Sequence, residues 1–402
     1  MNILFLSQPV IEDNPRDNIT YSFITKEMTA LAEAGHRVLF FSSRFTTPKY
    51  QTGVTYLGGE HLGRTTRLKA LLAILRRPTV FLPCLFLSPA RTIWVVRVDL
   101  AVRMIIREYE IDIVHSHFMY PDGWSCVGAA ADEKIPVVST IRGAELYNEP
   151  ELEYGALRDQ IFRWLSKRSA VHTSAFTVPN RAMCFRLADT LSVKPENVHY
   201  LPNGVERMRP ISRADTLSDS LALIAIGRFI KRKNHGLLLH VMNELKGLDI
   251  SLDLFGTGPL KAEFQDYITK NEMSNVHIRD ELPKDELFQR ISQSDCLVHP
   301  SLIEGMPNVV LESLQLGVPC LLSSIDGHEG LIVEGESGYF FDPNCQSQLR
   351  KRIGHIYNNR DALRSMTDAC RLMATKYSLT NKINGYEAIY NKLSTTPHLP
   401  SS

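Results

Sequence analysis

Two glutamates eight residues apart, Glu304 and Glu312, and two cations five apart, Arg228 and Lys233, are residue types that can grip a charged, hydroxyl-rich ligand. Carboxylates accept hydrogen bonds from vicinal hydroxyls such as those of a ribose or a hexose, and fixed cations neutralise a diphosphate. Glu304 lies in HPSLIEGMPNVVLES, residues 299–313, ahead of a helix expected over 307–316. Pro307 suits the first helical position and Gly317 the residue just past the end. The free amides of that first turn carry part of a positive charge and suit hydroxyl oxygens or anions. Gly305 leaves room for a ligand to approach, and Glu312 projects about five residues into the helix. A pair of solvated surface acids is the plainer alternative. In GRFIKRKNH, residues 227–235, Arg228 and Lys233 follow an apolar run and so stand at a strand's carboxyl end, with an ordinary basic turn as the alternative. In FGTGPL, residues 255–260, Gly256 and Gly258 permit close backbone approach.

The elements that must position these residues repeat in a βαβ rhythm. Strands are expected at 3–6, 38–41, 111–114 and 137–140, with helical patterns at 23–35 and 124–131. After a polar linker at 207–220 the rhythm restarts: strands at 221–226, 251–255, 276–278, 296–299 and 318–323 alternate with helices at 237–245, 260–269, 287–293 and 307–316. This predicts an α/β protein of two doubly wound halves, each a parallel sheet with helices on both faces. Such sheets bind ligands beyond the carboxyl ends of their strands, so a cleft between the halves is expected.

With 402 residues the chain is long enough for two cores. Its net charge of +1 excludes a general nucleic-acid binder by charge alone. Residues 64–107 are an exception, carrying nine basic residues and one acid, Asp99. Leu68, Leu71, Leu72 and Leu75 recur there at helical spacing between Arg64, Arg67, Lys69, Arg76 and Arg77. An anionic membrane surface is a candidate partner for 64–107; a helix packed on the sheet with a solvated basic rim is the alternative. Seven scattered cysteines without a CxxC pair read as reduced thiols, which points to the cytoplasm. The first ten residues read as a strand rather than a signal peptide, and no run is apolar enough to span a membrane.

The motifs together resemble glycosyltransferase family 4, of the GT-B fold: PNGV (202–205), the GR…K…H of 227–235, GTGP (256–259), HPS…EGMPNVVLES (299–313), GVP (317–319) and DGHEGLIVEGESGYFFDP (326–343). EAGHRV (33–38), DIVHSHFMYPDG (112–123) and IPVVSTIRGAELY (135–147) match more loosely, most like enzymes of capsule, exopolysaccharide or lipopolysaccharide assembly. The resemblance implies an acceptor-binding Rossmann-like domain over 1–206, a nucleotide-sugar-binding domain over 207–376, and a final helix at 377–395 crossing back to the first. It implies that Glu304 binds the donor hexose hydroxyls, assisted by the amides of Gly305, Met306, Pro307 and Asn308 where they have one. Glu312 would hold the ribose, Arg228 and Lys233 would neutralise the diphosphate, and the loop at 280–282 would touch the base. His117 would lie near the anomeric centre, with a core or capping histidine as the alternative.

Two departures from the family pattern stand out. The usual Gly-Gly loop is replaced by IEDNPRDNIT, residues 11–20, where backbone amides at Asn18 and Thr20 are left to meet a phosphate or an acceptor. Arg142-Gly143 stands where His-Gly is usual, so Arg142 either faces an anionic acceptor or phosphate or pairs with Glu145. No Asp-x-Asp occurs, so neither a metal nor another cofactor is expected. The activity implied is retaining hexosyl transfer from a UDP- or GDP-sugar to a glycan or lipid-linked glycan acceptor, on the cytoplasmic side of the plasma membrane. A sugar-nucleotide 2-epimerase and a non-catalytic nucleotide-sugar-binding partner of an assembly complex are the alternatives.

Overall fold

The computed structural model describes residues 1–7, 15–43, 49–76, 81, 88–208 and 220–395, with the backbone alone at 15–22 and 49–51. Contacts divide the chain into two compact units, Met1–Pro150 with Gly155–Leu201 and Lys382–Ser402, and Glu151–Tyr154 with Pro202–Asn381.

The first unit is built on the strands β1 (Asn2–Leu6), β2 (Arg37–Phe41), β3 (Lys49–Gln51), β4 (Val54–Leu57), β5 (Ile113–His117), β6 (Val137–Thr140), β7 (Ala175–Val178) and β8 (Val198–Tyr200). Their order is β3-β4-β2-β1-β5-β6-β7-β8, all parallel except β3 at the edge. Sequences such as NILFL and IVHSH bury successive residues on both faces, which requires helices on either side of the sheet. The helix Pro89–Glu108 closes one face with Val98, Ala101, Val102 and Ile105, which pack on Leu4, Leu39 and Val114.

The second unit holds β9 (Leu221–Ile226), β10 (Ile250–Phe255), β11 (Val276–Arg279), β12 (Cys296–His299), β13 (Cys320–Ser323) and β14 (Gly338–Phe341), all parallel, in the order β11-β10-β9-β12-β13-β14. Strand order reverses between β1 and β5 in one sheet and between β9 and β12 in the other. At such switch points the connections leave in opposite directions and open a crevice beyond the carboxyl ends. His117 ends β5. Gly227 follows β9, and His299 ends β12.

Two expectations change, and a third falls largely outside the described residues. Residues 15–20 of the expected loop belong to the helix Pro15–Glu33, because its polar start hides the helical period, and 11–14 lie outside the described residues. Pro307 is extended (φ −80°, ψ 117°) and precedes the helix, which runs Asn308–Gln315. The expected linker lies mostly outside the described residues, which omit 209–219.

Candidate active site

A polar cluster of the second unit stands at the β9/β12 switch point. After β9 the chain passes through Gly227 (φ +156°), forms a 3-10 turn at Lys231–Lys233, and enters the helix His235–Glu244 through Asn234 at φ +55°. This turn delivers two cations to one carboxylate. Lys233 Nζ donates to Glu304 Oε1 at 2.5 Å, and Arg232 Nη1 donates to Glu304 Oε2 at 3.2 Å and to the Ile303 carbonyl at 3.2 Å. The Arg232 guanidinium also lies over the Tyr154 ring, 4.7 Å from its centre. Burial alone would raise the Glu304 pKa; Lys233 and then Arg232 outweigh it and hold the carboxyl well below the usual carboxylate range. Glu304 is therefore a buried anion at neutral pH.

Glycine and asparagine shape the loop around it. A Cβ on Gly327 would lie 2.4 Å from the Glu304 carbonyl oxygen, so DGHEG needs its glycine where that turn passes under Glu304. Asn203, from PNGV, clamps the next three residues. Its amide nitrogen donates to Met306 Sδ (3.1 Å), and its side-chain Nδ2 donates to the Met306 carbonyl and to Asn308 Oδ1 (3.0 Å each). Gly305, Met306 and Pro307 are buried and Asn308 half-buried. Pro307 has no amide hydrogen to offer, which leaves Gly305, Met306 and Asn308 as backbone donors.

The other expected residues fall as follows. Arg228 is exposed, and its guanidinium has no partner among the described residues. Glu312 pairs with Lys284 at 3.1 Å. Gly256 and Gly258 face protein backbone: a Cβ would lie 2.1 Å from the Gly227 oxygen or 2.5 Å from the Phe229 oxygen, so these glycines let the loop after β10 pack on the loop after β9. Asn18 and Thr20 lie on the backbone of the first helix, and their side chains are outside the described residues.

His117 and Arg142 belong to a second polar cluster, in the first unit. Arg142 donates to Glu27 Oε1 at 2.6 Å and lies 4.3 Å over the Phe23 ring. Glu145 accepts instead from the Gly143 and Arg142 amides, at 3.1 and 3.4 Å, so the pairing expected of Arg142 with Glu145 is made with Glu27. Lys382 and Tyr386, on the final helix Leu379–Thr395, reach the same carboxylate at 3.6 and 3.1 Å. His117 is fully buried, 3.8 Å from Glu27, and neither ring nitrogen has a hydrogen-bond partner among the described residues. Burial, then Arg142 and Lys382, push its pKa well down and keep it neutral. Burial also pulls Lys382 down to about 7, against the attraction of Glu27.

Sequence reasoning missed Arg232, His299, His328, Glu27 and Lys382. Arg232 was visible as the middle of three consecutive basic residues. His115 and His117, two apart on β5, share a face by the period of a strand. Glu27 and Lys382 are 355 positions apart, and no local pattern links them.

The family described as "Glycosyl transferases group 1" matches residues 209–373, and the one described as "Glycosyltransferase Family 4" matches 23–209. An uncharacterised glycosyltransferase of Methanocaldococcus jannaschii is 23% identical over 293 residues, covering 72% of this chain and 78% of that one. The UDP-Gal:alpha-D-GlcNAc-diphosphoundecaprenol alpha-1,3-galactosyltransferase of Escherichia coli is 21% identical over 307 residues, 71% of this chain and 76% of its own. Among solved structures, a sucrose-phosphate synthase from Thermosynechococcus elongatus superposes with a TM-score of 0.73 at 15% identity, covering 98% of this chain and 99% of that one. Anabaena HepE in complex with UDP gives 0.72 at 14% identity, covering 98% and 100%.

Proposed function

The chain belongs to family 4 of the glycosyltransferases, with the GT-B fold, and on that premise we propose that it moves a hexosyl unit from a UDP- or GDP-linked sugar to a hydroxyl of a lipid-linked glycan, with retention at the anomeric carbon. One observation carries the reading. Two cations and a buried carboxylate converge beyond the carboxyl ends of β9 and β12, where the strand order reverses.

The step breaks the bond between the anomeric carbon and the diphosphate oxygen. The acceptor oxygen bonds to that carbon from the same face, and its proton passes to the leaving phosphate oxygen. Negative charge grows on the diphosphate as the bond breaks. Lys233 and the exposed Arg228 meet it, which is where fixed charge contributes most to rate. Glu304 accepts from the hexose hydroxyls, sharing itself between the sugar and Lys233, and the Gly305, Met306 and Asn308 amides add to the grip. Glu312 accepts from the ribose. Side-chain cations do this work in place of a metal. The first unit supplies the acceptor's partners, with His117 as a neutral imidazole and Arg142 as a cation. The name of the Escherichia coli relative, with its diphosphoundecaprenol-linked acceptor, favours a lipid-linked acceptor and a role in polysaccharide assembly.

Purified protein incubated with UDP- and GDP-sugars and lipid-linked acceptors is expected to release nucleoside diphosphate and lengthen the acceptor. Donor of unchanged mass epimerised without acceptor, or donor binding with no turnover on any acceptor, would replace this reading by an epimerase or a non-catalytic partner.

A membrane contact accompanies the proposal. No described helix is long and apolar enough to cross a membrane. The helix Arg67–Arg76 buries Ala70 and Ile74 but exposes Leu68 (67%), Leu71 (41%), Leu72 (49%) and Leu75 (69%) between Arg67, Lys69 and Arg76. Apolar side chains ringed by cations fit the interface of an anionic bilayer, at roughly 1 kcal/mol per basic residue near the surface. Part of the charge of 64–107 is spoken for within the protein: Arg97 donates to the Leu62 and Thr65 carbonyls, Arg103 pairs with Asp132 and Arg107 with Glu133.

A further inference from the structure

Behind Lys233 and Glu304 lie two buried histidines whose proton positions follow from one fixed end. His328 Nδ1 is 2.7 Å from the Ser323 carbonyl oxygen. A carbonyl only accepts, so His328 carries its proton on Nδ1 and presents a lone pair on Nε2. That Nε2 is 2.9 Å from His299 Nδ1, which must therefore carry the proton and donate it. His299 Nε2 is left as a lone pair, and 3.5 Å away stands Lys233 Nζ, an ammonium with donors only. The opposite tautomer at His299 would set two lone pairs against each other at one end and an N–H against an ammonium at the other. Only one arrangement satisfies all four groups.

We infer that His299 and His328 are positioning residues: a neutral imidazole pair, anchored on the Ser323 carbonyl, that presents a permanent acceptor to Lys233 and aims its ammonium. An ammonium has three tetrahedral N–H bonds. One goes to Glu304 and one to His299, and with two directions fixed the third is fixed as well. It has no partner among the described residues. Resting on the transferase reading above, that third N–H is the one offered to the donor diphosphate, already oriented before the ligand arrives. Preorganised donors avoid reorganisation at the moment charge develops. Burial, reinforced at His299 by the Lys233 charge, keeps both rings neutral, with His328 brought down to about 4. The two rings meet edge to face at a 72° interplanar angle, so each holds the other's orientation.

The inference has a test that needs no activity. In the unaltered protein labelled with 15N-histidine, His299 and His328 should both show a protonated Nδ1 and an unprotonated Nε2; a protonated Nε2 on His299 overturns the relay. The second test uses His328→Gln and His328→Leu. A glutamine offers an N–H to Ser323 and an oxygen to His299 Nδ1, reproducing the polarity of the ring, while leucine offers neither. His328→Leu should lose on the order of tenfold in kcat/KM for the donor, as expected when the buried His299 N–H is left without its acceptor, and His328→Gln should keep most of it. Equal loss in both, or no loss in the leucine variant, overturns the inference. Because the tautomers are read independently of turnover, a failed transferase reading and a failed relay are told apart.

Discussion

At the scale of single residues, Glu304 shows how a buried carboxylate is kept charged. Its desolvation is offset by Lys233 and Arg232 together, so its folded-state pKa lies below its unfolded one. The stability this contributes is present above the ordinary carboxylate pKa and lost only as pH falls through the depressed value, well into acid. Glu304→Gln removes the charge while keeping the shape. It should cost about 1.5–3 kcal/mol of transition-state binding, roughly ten- to a hundredfold in kcat/KM, measured by release of nucleoside diphosphate. If Arg228 and Lys233 carry the diphosphate as proposed, a chelator should leave turnover unchanged; loss restored by added Mg²⁺ would put a metal in their role. Lys382 follows the same sign in a different pH window. Its folded pKa is lowered to about 7, so between about 7 and its unfolded value the unfolded chain binds the extra proton and stability rises with pH. The groups facing it are Glu27, Arg142 and Tyr386, with His115 and His117 beyond. Thermal unfolding from pH 7 to 9.5 should show an alkaline gain that Lys382→Met abolishes. Residues such as Lys233 were legible because motif and strand end coincide. Lys382 was not, because its partner is brought to it only by the fold.

At the scale of elements, the loops after the strands are held by close backbone fit as well as by side-chain contacts. The turn at Gly327 has no room for a methyl group 2.4 Å from the Glu304 carbonyl oxygen. Gly327→Ala should displace Glu304 from Lys233, lowering both thermal stability and donor affinity. Asn203→Ala leaves the 306–308 loop without its clamp and should weaken donor binding by about 1–3 kcal/mol, the cost of orphaning buried partners, read by calorimetry. The strands β1, β2, β6, β9, β10, β11, β12 and β13, four to six residues long, were legible from short apolar runs. The strands β3, β4, β7, β8 and β14 were not, although β6, β11, β12 and β13 are as short; their place is decided by lateral pairing in the sheet. The helix Pro15–Glu33 was recognised only in its second half because its first turns, PRDNIT, lack an apolar stripe. Gly256 and Gly258 were read as ligand clearance, whereas the neighbouring loop's carbonyls stand where their side chains would be.

At the scale of the whole molecule, a net charge of +1 conceals an uneven distribution, since residues 64–107 alone carry nine cations against one acid. The ion pairs of Arg103 and Arg107 show that composition overstated the free charge. What remains around the helix Arg67–Arg76 is narrower and better defined: four leucines exposed on a helix anchored from beneath by Ala70 and Ile74. Because the exposed leucines make no core, replacing them should not unfold the unit, and this makes the face testable by itself. The unaltered protein should float with vesicles containing anionic lipid and stay behind with zwitterionic ones. Raising salt from low values toward 1 M shortens the screening length from about 30 Å to about 3 Å and should release it in part, with the leucines supplying the salt-resistant remainder. Leu71→Asp with Leu75→Asp should abolish flotation while leaving the melting temperature and turnover on a water-soluble acceptor unchanged. If the double variant floats as well as the unaltered chain, the helix is a solvated rim and the lipid-linked acceptor must be met by another surface.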